Sequence, residues 1–245
     1  MESAEPKVKP ARHGLSRGIY LLPSLFTAGT LVCGYVALLS TLRGDFDYAA
    51  RAIGYAIVFD ALDGRIARLT NSSSDFGREF DSLADVIGFG VAPAFLAFAW
   101  GIRPVEEIAG TQLVQHLREA GWVISFAFVI CGAARLARFN IQSARPAEDR
   151  RYFVGLPIPG GAAVIAAVVH WAKYPINDWI YGVIWMIVVG LVAFFMVSRM
   201  RYPTFKTVDL RRRRSYMGII LIGIAVYAIW AYSEYALLVV AVVYA

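Results

Sequence analysis

Apolar runs of about twenty residues, the length a helix needs to cross a bilayer core, recur along nearly the whole chain, separated by short polar segments. They predict spans at Ile19–Leu42, Ala49–Leu69, Ser82–Trp100, Trp122–Phe139, Leu156–Trp171, Trp179–Ser198, Met217–Tyr232 and Tyr235–Ala245. Only Ser233-Glu234 interrupts the last two, which fits a tight terminal hairpin or one long tilted helix, the hairpin being the favoured reading. The pattern is that of an all-α protein, a polytopic membrane helical bundle of about eight spans. Residues 1–11 lack apolar periodicity and read as a disordered tail, whereas Arg12–Leu22, ending at Pro23, fits a short amphipathic helix lying in the interface. The expected organisation is therefore a tail over 1–11, a membrane domain with an interfacial N-terminal helix over 12–210, and the hydrophobic hairpin over 211–245.

Composition agrees with this solvent. In 245 residues, 58% are hydrophobic and the mean hydropathy is +0.56, which leaves no room for a separate soluble domain. Charge orients the chain. With the amino terminus in the cytoplasm, the inner segments carry 19 of the 24 basic residues, leaving Arg43, Arg51, Arg103, Arg118 and Lys173 outside, as the positive-inside bias requires. The formal charge of +6 and the Arg211–Arg214 run flank membrane spans, where they mark topology and anionic-lipid contact; no nucleic acid partner is expected. A cleaved signal peptide is not expected, since the first apolar stretch follows a long polar one and is itself long enough to span. Cys33 and Cys131 fall inside predicted helices without metal-ligand spacing and read as packing residues. His170, at a predicted outer helix end, reads as an interfacial side chain.

Against that background four aspartates stand out: Asp60 and Asp63 in the second span, Asp81 and Asp85 in the third. Each would cost roughly 2.5–3.5 kcal/mol at a bilayer centre, so a cation or a wet cavity must compensate. Residues three and four apart share a helix face, which puts each pair on one side of its helix. The turn-rich Thr70–Gly77 segment predicts an antiparallel return, so the pairs can meet across a helical hairpin. Converging carboxylates without His or Cys suit hard divalent cations such as Mg2+ or Mn2+, and two such ions suit a diphosphate substrate. A proton or sodium path through a transporter is the alternative that the charges alone leave open.

The spacing Asp60-x-x-Asp63-Gly64-x-x-Ala67-Arg68, then Gly77-x-x-x-Asp81-x-x-x-Asp85, resembles the signature of the CDP-alcohol phosphotransferase family at every fixed position. The resemblance implies a six-helix membrane core, a homodimer, and a site holding two divalent cations, Mg2+ or Mn2+, open to the cytoplasm at the cell membrane. It implies Asp60, Asp63, Asp81 and Asp85 as metal ligands, with Asp85 also the catalytic base. Asp60, Gly64, Ala67, Arg68 and Gly77 would form the CDP-binding pocket, where Arg68 can pair with diphosphate oxygens.

Leu22–Gly34, Ala134–Asn140 and Phe153–Pro159 further resemble the family's phosphatidylserine synthase branch, which implies CDP-diacylglycerol and L-serine as substrates. Free serine brings a carboxylate, so its pocket needs a planar cationic donor; Arg135 and Arg138 share a helix face next to Asn140, and these three are the serine-binding candidates. Either arginine can instead snorkel to headgroups, and Asn140 can instead end a helix. Glycerol 3-phosphate, inositol phosphate or choline as acceptor remains open, as does, more remotely, an ion-coupled transporter, although no inverted repeat is visible. The Gly155–Pro159 turn reads as a shaped helix start.

Overall fold

Apolar chain in lipid satisfies its backbone amides only within helices or closed barrels, and this chain takes the helical route. The computed structural model describes residues 16–70, 74–102, 112–143, 153–198 and 201–202. Its helices are α1 (Ser16–Leu42), α2 (Phe46–Thr70), α3 (Asp75–Asp85), α4 (Ala92–Gly101), α5 (Gln112–Ser143), α6 (Ile158–Ala172) and α7 (Trp179–Val197). A π-helical stretch, Val86–Val91, joins α3 to α4 without interruption, so the described helices form six rods. A two-residue antiparallel ladder, β1 (Phe153–Val154) with β2 (Arg201–Tyr202), is the one departure from all-helical structure among the described residues. The expected tail over 1–11 and hairpin over 211–245 lie outside the described residues.

Four rods are long and apolar enough to cross a membrane: Ser24–Leu42, Asp75–Gly101, Gln115–Gln142 and Trp179–Val197. α2 is long enough but carries the charges of Asp47, Arg51, Asp60, Asp63 and Arg65. α6 has 15 residues, about 22 Å at the helical rise, and packs against α2 inside the bundle.

Local chemistry sets the ends. Ser74 Oγ accepts from the Gly77 backbone N–H at 3.0 Å and caps α3. The third rod therefore starts at Asp75 rather than at the expected Ser82, and Asp75-Phe76-Gly77 form its first turn instead of belonging to the loop. α5 begins at Gln112, well before Trp122, because its first turns are polar and project beyond the apolar stretch. From Ser16 onward the segment expected to lie in the interface belongs to α1, which runs straight through Pro23; membrane helices tolerate proline where neighbouring groups satisfy the freed carbonyl. Pro157 caps α6 and Pro159 sits in its first turn, as the Gly155–Pro159 reading anticipates. Gly155 has φ +85° next to the Met196 carbonyl, a conformation and a closeness that a side chain would not allow.

Small residues let the rods approach closely. α1 lies along α2, and a Cβ on Gly29 would already touch the Phe59 ring at 3.2 Å. Gly34 faces Gly88 of the π-helical stretch so tightly that a Cβ would lie 2.9 Å from its Cα. The core between them is made of Ala37, Ile53, Phe89, Leu96, Phe128, Ile165 and Met196, all fully buried. α7 is tied to α4 by Trp185 Nε1, which donates to the Ala97 carbonyl at 3.0 Å.

At the end of the bundle opposite the α2–α3 hairpin, His170 departs from its expected interfacial exposure. It is buried, with Nδ1 2.5 Å from Asp47 Oδ1, and Asp47 Oδ2 pairs with Arg51 at 2.8 Å. The start of α2 and the end of α6 meet there, so an imidazole that sequence places at a helix end becomes the buried half of a cross-helix pair.

Candidate metal centre and active site

Asp60 and Asp63 stand one helical turn apart near the last third of α2, and Asp81 stands in α3 on the returning strand of the hairpin. One oxygen from each of Asp60, Asp63 and Asp81 lies within 4.8 Å of the others. Asp63 and Asp81 approach to hydrogen-bonding distance, as do Asp60 and Asp85. Asp85 is one turn further along α3 and within electrostatic reach of all three. It is buried, and its Oδ1 has no hydrogen-bond partner among the described residues.

Four carboxylates this close repel one another unless a proton or a cation lies between them. A purely carboxylate donor set suits a hard divalent ion, and the unpartnered buried oxygen of Asp85 is an acceptor still lacking its donor or ion. Asp60, Asp63 and Asp81 therefore fit a divalent metal, with Asp85 at the margin of the trio.

The surrounding helices shape this cluster. Thr27 of α1 is buried, and its Oγ1 donates to Asp63 Oδ2 at 3.1 Å. Arg135 of α5 is buried too, opposes the charge of Asp85, and lays its guanidinium over the Phe139 ring at 5.5 Å. Arg138, expected beside it, turns elsewhere: its Nη1 donates to the Val197 carbonyl at the end of α7, 3.2 Å away. Asn140 Nδ2 donates to Ser82 Oγ at 2.8 Å, while that hydroxyl donates to the Arg78 carbonyl at 2.9 Å. Asn140 does not end its helix, since α5 continues to Ser143.

Of the serine-binding candidates, then, Arg135 faces the carboxylates, Asn140 grips α3 between Asp81 and Asp85, and Arg138 secures α7. Of the residues expected around CDP, Gly64 lies half-buried in α2 just after Asp63, and Gly77 forms the capped first turn of α3. Ala67 and Arg68 lie in α2, with their side chains outside the described residues. Thr27 and Ser82 were not singled out in the sequence. The available signal for Thr27 was a hydroxyl inside an apolar run, within the Leu22–Gly34 stretch already set apart by resemblance.

Comparison with known proteins follows the same lines. The model of the CDP-alcohol phosphatidyltransferase family matches residues 20–194. The chain is 38% identical over 191 residues to a Helicobacter pylori protein named CDP-diacylglycerol–serine O-phosphatidyltransferase, covering 78% of this chain and 75% of that one. Proteins of the same name from Methanocaldococcus jannaschii, 34% identical over 71% of this chain and 74% of theirs, and from Saccharomyces cerevisiae, 40% identical over 56% and 49%, are also similar.

Proposed function

Because the chain belongs to the CDP-alcohol phosphatidyltransferase family, we propose that it transfers the phosphatidyl group of CDP-diacylglycerol to the hydroxyl of L-serine, releasing CMP and phosphatidylserine. The observation that carries this reading is the convergence of Asp60, Asp63 and Asp81 from two antiparallel helices, with their oxygens within 4.8 Å. The names of the similar proteins support serine as the acceptor.

Asp60, Asp63 and Asp81 hold the divalent cations, Mg2+ or Mn2+, with Asp85 as the further ligand for a second ion. Bound there, such ions neutralise the diphosphate and the charge that develops on departing CMP. The chain's own groups do the remaining work. Gly64 and Gly77 leave room for the nucleotide, and Arg68 pairs with diphosphate oxygens. Asp85 accepts the proton of the serine hydroxyl while that oxygen bonds to the phosphatidyl phosphorus; the phosphorus–oxygen bond to CMP breaks, and CMP takes the electron pair. The acceptor itself carries a carboxylate, and Arg135, buried beside Asp85, is the planar donor that suits it. The bundle sits in the cell membrane with the α2–α3 hairpin toward the cytoplasm, where serine is dissolved and CMP is released.

The test is purified protein with CDP-diacylglycerol and Mg2+, offered serine, glycerol 3-phosphate, inositol phosphate and choline in parallel, with CMP release measured. Release with serine alone, abolished by chelating the metal, is expected. Release only with a phosphorylated alcohol would overturn the acceptor, and undiminished release in chelator would overturn the metal reading.

A further inference from the structure

Asp63 receives a hydrogen bond from a third helix: Thr27 Oγ1 reaches it from α1 across 36 positions of sequence. The contact is enclosed, with Thr27 4% and Asp63 5% exposed. A threonine within a helix ordinarily has a local option, since its hydroxyl can bond a carbonyl one turn back. Thr30, one turn further along the same helix, takes that option and donates to the Phe26 carbonyl at 3.4 Å. The hydroxyl of Thr27 reaches the Asp63 carboxylate on a neighbouring helix. Its place is fixed from below as well, because Gly29 brings α1 against Phe59, the residue before Asp60, and Phe26 packs on that same ring at a centroid distance of 6.3 Å.

We infer that Thr27 is a positioning residue: its hydroxyl fixes the rotamer of Asp63 by occupying one lone pair of Oδ2, so that the remaining lone pairs of Asp63 converge with Asp60 and Asp81 on the metal. This deepens the metal reading above and rests on it. A carboxylate has about four lone-pair sites and two easy torsions. Unpinned beside two other negative groups, it rotates away from them, and the trio opens when no ion is present. A single neutral donor holds it in place without adding positive charge that would compete with the ion. Hydrogen bonds of this kind to metal-binding side chains are typically worth about 10- to 100-fold in metal affinity.

Mn2+ binding to the detergent-solubilised, substrate-free protein, followed by the loss of the free-ion electron paramagnetic resonance signal, tests this without turnover. Thr27→Val keeps the shape and removes the donor, Thr27→Ser keeps the donor, and Thr30→Val makes the same change one turn away. The expected result is an Mn2+ Kd weakened about 10- to 100-fold in Thr27→Val, with Thr27→Ser and Thr30→Val close to the unsubstituted protein. If Thr27→Val yields too little folded protein, Thr27→Ala reads the same quantity and is expected to show the same loss. Equal Mn2+ affinity in the variants lacking the donor and the unsubstituted protein would overturn the inference while leaving the metal reading standing. Equal loss in Thr27→Ser and Thr27→Val would also overturn it, since the hydroxyl would then be immaterial. Absence of Mn2+ binding in the unsubstituted protein would instead overturn the metal reading itself.

Discussion

Asp85 differs from the other three aspartates in ways that suit the base role proposed for it. Asp60, Asp63 and Asp81 share a small volume, whereas Asp85 sits a turn deeper beside Arg135, with one oxygen unpartnered. A group that must collect a proton needs a free lone pair pointing into the site. Asp85→Asn keeps the size and removes the proton acceptor. Turnover is expected to fall about 100- to 10,000-fold, with the protein still eluting as a folded species in detergent; undiminished CMP release would remove Asp85 from the base role. At this scale the sequence was informative about the carboxylates because spacings of three and four residues translate directly into a shared helix face. It was less informative about their partners. Arg135 and Arg138 look alike in sequence, yet one opposes Asp85 and the other bonds the end of α7. A difference of three residues turns a side chain by only a modest angle, and which neighbour it meets depends on rods separated from it by dozens of positions.

Among the elements, the helices follow from apolar length, and their ends follow from caps that are easily overlooked. Ser74 lengthens the third rod by a full turn and more, and so sets how far Asp81 and Asp85 lie from the hairpin. The π-helical stretch that follows Asp85 has no signature in hydropathy, and it coincides with the close approach of α1 at Gly34 and Gly88. Such stretches within α-helices are frequent at functional sites; here the wider turn begins at the residue after the proposed base. Gly34→Ala would push a methyl into backbone rather than into a movable side chain. It is expected to cost about 1–3 kcal/mol, as overpacking does, and to lower Tm in detergent. Gly54→Ala, in α2 with nothing within 4 Å of the added carbon, is the control and should leave Tm close to unchanged or slightly higher. Equal Tm values for both would show that the α1 contact is slack. The buried His170–Asp47 pair is a second case of information carried by packing alone, its partners being 123 positions apart.

For the whole molecule, the six-rod core was legible because lipid permits so few solutions, and the family resemblance named it from a handful of fixed positions. Orientation rests on charge. Phe76 and Tyr174, both strongly exposed, lie at opposite ends of the bundle. With Cys33 and Cys131 replaced by alanine, Phe76→Cys is expected to react with a membrane-impermeant maleimide only in inside-out vesicles, and Tyr174→Cys only in intact cells with the surface accessible. The reverse pattern would place the carboxylates on the outer face, away from the nucleotide pool.

Turnover, on this reading, depends on carboxylates from α2 and α3 gripping one metal centre. Crystals grown with Mn2+ and measured at the manganese absorption edge test that directly. The predicted result is an anomalous peak among Asp60, Asp63 and Asp81, at coordination distances of about 2.0–2.3 Å from their oxygens. Bound manganese elsewhere in the protein, with none between these three side chains, would contradict it.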